Sequence, residues 1–296
     1  MKIESNYKKV KNILLILLLA NLFVAISKII IGLFVNSSSV MADGLHSISD
    51  SASNIVGIIG ITMASKPRDT EHPYGHKKFE TISSIFIGLM LLLLGINVIK
   101  TSISKLFIPY TLTITIDSLI IILITLIINI FVAIYENKQG KKLNSKILIA
   151  DSIHTKSDIF VSIGVLVTLI GVKLGLPPTL DTFVSFIVAF FILHASYEII
   201  KENISSLTDK IMIEESVVID ILKDFADIED IHNIRSRGYK DHIFLDMHIK
   251  VDSKLNVDEA HTLVHKIEDT LNYRLNKKVD LIIHVEPNKN NKSDYL

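Results

Sequence analysis

The chain has 296 residues, a mean hydropathy of +0.44 and 49% apolar residues, a composition that excludes an ordinary soluble domain. Its 31 basic side chains balance 31 acidic ones, so there is no basic surface to neutralise phosphates, and nucleic acid is excluded as a partner. It contains no cysteine, so any metal must be held by imidazole and carboxylate, a donor set unsuited to Cu(I).

From the amino terminus, six apolar segments are long enough to cross a bilayer, at about 11–35, 39–64, 80–104, 112–135, 148–171 and 179–200. The first has too long an apolar run for a signal peptide and no small-residue cleavage site after it, so it is expected to be retained. Lys2, Lys8, Lys9 and Lys11 precede it, Lys66, Arg68, Lys77 and Lys78 follow the second segment, and Lys138, Lys141, Lys142 and Lys146 follow the fourth. The other side has only Lys100, Lys105 and Lys173. Because basic residues accumulate on the cytoplasmic side, the pattern predicts a multi-pass protein of the cell membrane with both termini in the cytosol.

Beyond the sixth segment the periodicity changes to an amphipathic helix (about 214–226), strands at about 232–238 and 242–251, a helix (256–275) and a strand (279–286). The expected fold is therefore a six-helix transmembrane domain over 1–207 with a cytosolic α+β domain over 208–288, similar to the ferredoxin-like metal chaperones. A polar tail over 289–296 is expected to be flexible.

The membrane part contains a repeat: Ala42-Asp43-Gly44-Leu45-His46-Ser47-Ile48-Ser49-Asp50 returns as Ala150-Asp151-Ser152-Ile153-His154-Thr155-Lys156-Ser157-Asp158. Residues at i, i+3 and i+7 share a helix face, so Asp43, His46 and Asp50 form one polar stripe and Asp151, His154 and Asp158 another. By the predicted topology the two copies run in opposite directions, as in transporters built from inverted repeats. With a rise of about 1.5 Å per residue, His46, Asp50, His154 and Asp158 can meet near the bilayer midplane. A charged group at a helix centre costs about 2.5–3.5 kcal/mol on insertion scales, a cost that a bound cation offsets. Two imidazoles and two carboxylates form a tetrahedral N2O2 set that suits Zn²⁺ and tolerates Cd²⁺, Co²⁺ or Fe²⁺, whereas Mg²⁺ and Ca²⁺ prefer six or more oxygens. Without metal, the same groups would pair with one another as buried hydrogen bonds.

In these features the chain resembles the cation diffusion facilitator family of divalent metal/proton antiporters: six helices, HxxxD in the second and fifth, the run His72 to Glu80 (HPYGHKKFE) and a ferredoxin-like cytosolic domain. The resemblance implies that His46, Asp50, His154 and Asp158 are the transport ligands and that the protein works as a homodimer. One branch of the family has Asp where this chain has His46, so the identity of the ion, among Zn²⁺, Cd²⁺, Co²⁺, Fe²⁺ and Mn²⁺, stays open. An imidazole must lose its proton to bind metal, so protons are the expected coupling ion. Asp43 and Asp151 either orient the histidines or are polar groups at water-facing helix ends.

The Pro73-Tyr74-Gly75 turn lets Asp69, His72 and His76 converge, and the resemblance implies a loop metal site there; read alone, two histidines in a hydrophilic loop are more often solvated. Six of the eleven histidines fall in the cytosolic domain. By resemblance, His232, His248, His261, His284 and Glu286 match the family's regulatory metal sites at the dimer interface; the alternative is a solvated polar face. His242 and His265 have weaker motif support. Lys78 and Asp209 match a family charge interlock. Two other function classes are a membrane metalloenzyme, which would need an open coordination position, and a membrane-anchored metal sensor without transport, which has no use for intramembrane ligands.

Overall fold

The computed structural model describes residues 2–34, 38–107, 116–174, 176–177, 179–239 and 242–288; for 38–50 and some other helical positions only the backbone is described. The chain divides into two compact units, Met1–Ile204 and Ser205–Leu296. The first holds six helices: α1 Lys2–Phe34, α2 Ser38–Ala64, α3 Lys78–Phe107, α4 Ile116–Leu143, α5 Lys146–Lys173 and α6 Thr179–Leu207. Among the described residues, four of them contain stretches long and apolar enough to cross a membrane, namely Asn6–Ser27, Lys78–Ser104, Ile122–Leu143 and Thr182–Leu207.

The distribution of side chains is inverted relative to a soluble bundle. Phe23, Leu93, Phe131 and Phe190 point outward, with Phe131 70% exposed, while Ser53, Asn54, Ser83, Ser84, Glu136, Asp151 and Ser196 are buried. In water that arrangement would squander the hydrophobic effect; in lipid it is the expected one. The apolar centre is built from Leu14 and Leu17 of α1, Ile61 of α2, Ile87 and Leu91 of α3, Ile147 and Leu148 of α5, and Ile192 and Ile199 of α6. Hydroxyls such as Ser84, Ser102 and Thr168 are satisfied by carbonyls four residues back in their own helices.

Three helices run further than hydropathy predicts. α1 begins at Lys2 rather than near 11, α4 continues to Leu143 rather than 135, and α6 to Leu207 rather than 200. No Gly or Pro stop signal stands at the apolar limits of these segments, and Lys141 and Lys142 in the last turn of α4 complement the helix dipole. The α4 to α5 connection is consequently tight, turning at Asn144 with φ +52°.

The second unit consists of α7 Glu215–Leu222, β1 Asp230–Tyr239, β2 His242–Asp252, α8 Val257–Leu275 and β3 Lys278–Asn288. The sheet order is β1-β2-β3, with β1 antiparallel and β3 parallel to β2, so β2-α8-β3 is a crossover unit. Strict alternation in β2 buries Ile243, Leu245, Met247, Ile249 and Val251 against Leu263, Ile267 and Leu271 of α8. The other face holds His232, Asp246, His248, His284 and Glu286. Asn256 and Glu259 close a capping box at the start of α8, and Asn276 ends it in the left-handed conformation. The tail over 289–296 lies outside the described residues.

Candidate metal centres

In the helical unit, the second copy of the repeat sits in α5, close to its start. Asp151 is 1% exposed. Its Oδ1 accepts from Ser53 Oγ at 2.8 Å, and its Oδ2 from Asn54 Nδ2 at 2.5 Å, both from α2. Asn54 Oδ1 in turn accepts from Asn21 Nδ2 of α1 at 3.0 Å, so one polar chain ties three helices. Asp151 is therefore a buried acceptor for α2. Thr155 donates to Glu136 Oε2 of α4 at 3.0 Å, and Glu136 is also 1% exposed.

These contacts set the register of α2 on α5. Moving forward along α2 from Ser53 and Asn54, a Cβ added at Gly57 would lie 2.9 Å from Ile147 Cγ2, four residues before Asp151. Numbers rise on one helix as they fall on the other, so α2 and α5 are antiparallel. Counting one turn the other way brings the level of position 50 to that of 154, and a further turn brings position 46 to 158. The side chains of Asp43, His46 and Asp50 lie outside the described residues. His154 is 5% exposed, and neither ring nitrogen has a hydrogen-bond partner among the described residues. A buried imidazole without partners is uncommon and fits a ligand position. Asp158 is half-buried in the same helix, one turn on.

The loop cluster is assembled by a turn. Gly75 N–H donates to His72 carbonyl at 2.9 Å, with Pro73 and Tyr74 at the corner and Gly75 at φ +88°. Asp69 Oδ1 lies 2.7 Å from His72 N and 3.1 Å from His72 Nδ1, and its Oδ2 lies 3.3 Å from His76 Nε2. The two rings are 4.3 Å apart, and one ligand atom from each of the three residues falls within 4.8 Å of the others. The His72 backbone N–H, followed by the side chains of His72 and His76, holds the Asp69 carboxyl below its ordinary value against the opposing effect of desolvation.

In the cytosolic unit, β1 and β2 place His232 opposite His248, and β2 and β3 place His248 opposite His284. Glu286 Oε1 is 2.8 Å from His248 Nδ1, its Oε2 is 3.6 Å from His232 Nε2, and His284 Nε2 is 3.9 Å from Oε1. His232, His248 and Glu286 present ligand atoms within 4.8 Å of one another. The His248 hydrogen bond is the main cause that lowers the Glu286 carboxyl, with the charges of His232, His248 and His284 adding to it. Asp230 Oδ2, 3.0 Å from His232 Nδ1, orients that ring, and Lys250 is the first cause of its lowered carboxyl. His261 is not part of this cluster within one chain. It stands on α8, which covers the opposite face of the sheet, with its Nε2 3.2 Å from His265 Nε2. His242 pairs with Asp280 at 3.1 Å, and Asp209 lies 3.9 Å from Arg237 within its own unit, while Lys78 opens α3.

Several residues of these sites were not picked out from the sequence. Ser53 and Asn54 lie three and four positions after Asp50, the spacing of one helix face, which was the available signal. Glu136 reads as part of a charged loop because hydropathy ends the fourth segment at 135. Glu80 is buried and accepts from Ser145 Oγ at 2.7 Å and Lys146 N at 2.8 Å, capping α5 from the first turn of α3.

Comparison with known proteins matches residues 14–208 to the model of the cation efflux transmembrane domain, and residues 212–288 to that of the cation efflux protein cytoplasmic domain. An uncharacterised transporter of Methanocaldococcus jannaschii is 31% identical over 267 residues, covering 89% of this chain and 94% of the relative. The manganese efflux system protein MneP of Bacillus subtilis is 31% identical over 290 residues, 94% of this chain and 96% of its own. The cation-efflux pump FieF of Serratia proteamaculans is 23% identical over 262 residues, 88% and 87% of the two chains.

Proposed function

Because the chain belongs to the cation diffusion facilitator family, a family of membrane transporters and not enzymes, we propose that it exports divalent transition-metal ions, zinc first among them, from the cytosol in exchange for protons. The observation that carries the reading is the antiparallel register of α2 on α5, which levels position 50 with His154 and position 46 with Asp158, beside an imidazole whose two nitrogens have no hydrogen-bond partner among the described residues. His46, Asp50, His154 and Asp158 are the transport ligands of this proposal. Asp151, gripped by Ser53 and Asn54, holds the two ligand-bearing helices at that register.

Proton exchange follows from the donor set, since an imidazole releases its proton when metal arrives and metal leaves when the proton returns. Six spanning helices with both termini in the cytosol, in the cell membrane, are supported by the lysine distribution. Asp69, His72 and His76 bind a second ion in the loop. His232, His248, His261, His284 and Glu286 bind regulatory metal at a homodimer interface, a reading supported by the clustering of His232, His248 and Glu286 on a sheet face where Ile282 stands exposed. The Lys78 and Asp209 interlock stays part of the proposal.

Manganese is the second reading, favoured by the similarity to MneP, a manganese efflux system protein. Two imidazoles argue for zinc, because carboxylate and water donors suit Mn²⁺ better. Proteoliposomes holding a proton-sensitive dye, challenged with Zn²⁺, Mn²⁺, Cd²⁺, Co²⁺ and Fe²⁺ in turn, separate the readings. Zinc uptake with proton movement in the opposite direction is the expected outcome. Manganese flux without zinc flux transfers the assignment, and metal flux without proton movement removes the antiport.

A further inference from the structure

The first turn of α3 carries a buried carboxylate that the transport reading does not use. Glu80 is 4% exposed, and its Oε1 accepts both from Ser145 Oγ at 2.7 Å and from Lys146 N at 2.8 Å. Ser145, also buried, accepts in turn from Leu148 N at 3.4 Å. Opening donors of α5, which a helix cannot satisfy by itself, are thus tied through one oxygen to α3. The same stretch of α3 meets α2. A Cβ built at Gly60 of α2 would stand against Ser83 of α3 and 3.2 Å from Ile147 Cδ1 of α5. The helices that bear the two copies of the repeat therefore converge on the residues around Glu80.

We propose that Glu80 is a positioning residue for ion transport: by fixing the start of α5 against α3, it sets the height and rotation of His154 and Asp158 relative to α2. The proposal rests on the transport reading. His154 follows Lys146 by about 12 Å along the same helix, so a slip of the first turn is carried to the ligands. A functional constellation tolerates only about 0.5 Å of such misplacement. Both bonds end on Oε1, so the amide oxygen of Gln, on a side chain of equal length, can replace it, whereas Ala offers no acceptor.

The concentration dependence of Zn²⁺ and Cd²⁺ flux in proteoliposomes tests this for wild type, Glu80→Gln and Glu80→Ala. Glu80→Ala is expected to raise the KM for zinc at least about 10-fold and to change the ratio of the zinc and cadmium KM values, since a displaced ligand set fits ions of different size unequally. Glu80→Gln is expected to keep both within about twofold of wild type. A residue serving stability alone would lower the amount of folded transporter, and so maximal flux, at unchanged KM and unchanged ion ratio; that result overturns the proposal. So does a Glu80→Gln protein as impaired as Glu80→Ala. Ser145→Ala, which removes one of the two bonds and keeps the test open if Glu80→Ala does not fold, is expected to raise the zinc KM by a smaller factor, and an unchanged KM there also overturns it. Amide hydrogen exchange over 146–158, on the full-length protein in detergent, is expected to be faster than wild type in Glu80→Ala and not in Glu80→Gln; equal exchange in all three contradicts the proposal. Wild-type protein that carries no metal removes the transport reading, and the exchange result then decides by itself whether Glu80 positions α5.

Discussion

Asp151 illustrates how much one side chain determines in this protein. Its carboxylate accepts from the buried Ser53 and Asn54, so removing it takes away two buried hydrogen bonds, at a cost of about 1–3 kcal/mol. Asp151→Ala is thus expected to lower the thermal midpoint of the detergent-solubilised protein, followed by circular dichroism because the chain has no tryptophan. An unchanged midpoint would show that the α1-α2-α5 polar chain holds nothing together. A second residue-scale expectation concerns pH. The folded Glu286 carboxyl lies below its ordinary value, so its stabilising contribution is complete above the unfolded carboxylate value of about 4.3 and is lost as pH falls through the lower folded value. In metal-free protein, the midpoint difference between wild type and Glu286→Gln should therefore shrink between about pH 5 and pH 3, as the carboxylate takes up its proton. A difference that grows over that interval contradicts the pairing with His248.

At the scale of elements, helix packing depends on small residues where backbones approach closely. A Cβ built at Gly60 of α2 would stand 2.0 Å from Ser83 Oγ and 2.4 Å from Ser83 Cβ of α3. Gly60→Ala is expected to cost about 1–3 kcal/mol through overpacking, and Ser83→Gly in the same chain to restore most of it. Equal stability of the single and double variants would show that α2 and α3 adjust freely. The elements were largely legible in the sequence, because a continuous apolar run reports a spanning helix and the alternation in β2 reports a half-covered strand. Their ends were not, since hydropathy stops where lipid stops while a helix continues until its caps. That difference hid Glu136 in what read as a loop. The loop triad was legible from the Pro-Tyr-Gly turn, and the β-strand histidines from their period of two. The position of His261 was not, because helix periodicity says which side of α8 faces water but not which face of the sheet α8 covers. The capping of α5 by Glu80 depends on a contact between residues 65 positions apart, which local pattern does not report.

On the scale of the whole molecule, two units share one chemistry. A bundle with an apolar exterior, an apolar centre and buried polar side chains carries a repeated His and Asp motif on opposed helices, and a cytosolic sheet displays a second set of imidazoles and carboxylates to water. In the proposed function the ion would reach a site between α2 and α5 from either side in turn, which inverted repeats would provide by rocking about a fixed centre. The central claim is that His46, Asp50, His154 and Asp158 hold the ion in transit, and the most direct test is zinc flux into proteoliposomes for wild type, Asp50→Ala and Asp158→Ala at matched reconstitution. Loss of at least about 100-fold in flux for each variant, with zinc binding at the cytosolic unit retained, is the predicted result. Flux at the wild-type rate in either variant would contradict the account, because the ion would then cross the membrane without the α2 and α5 carboxylates.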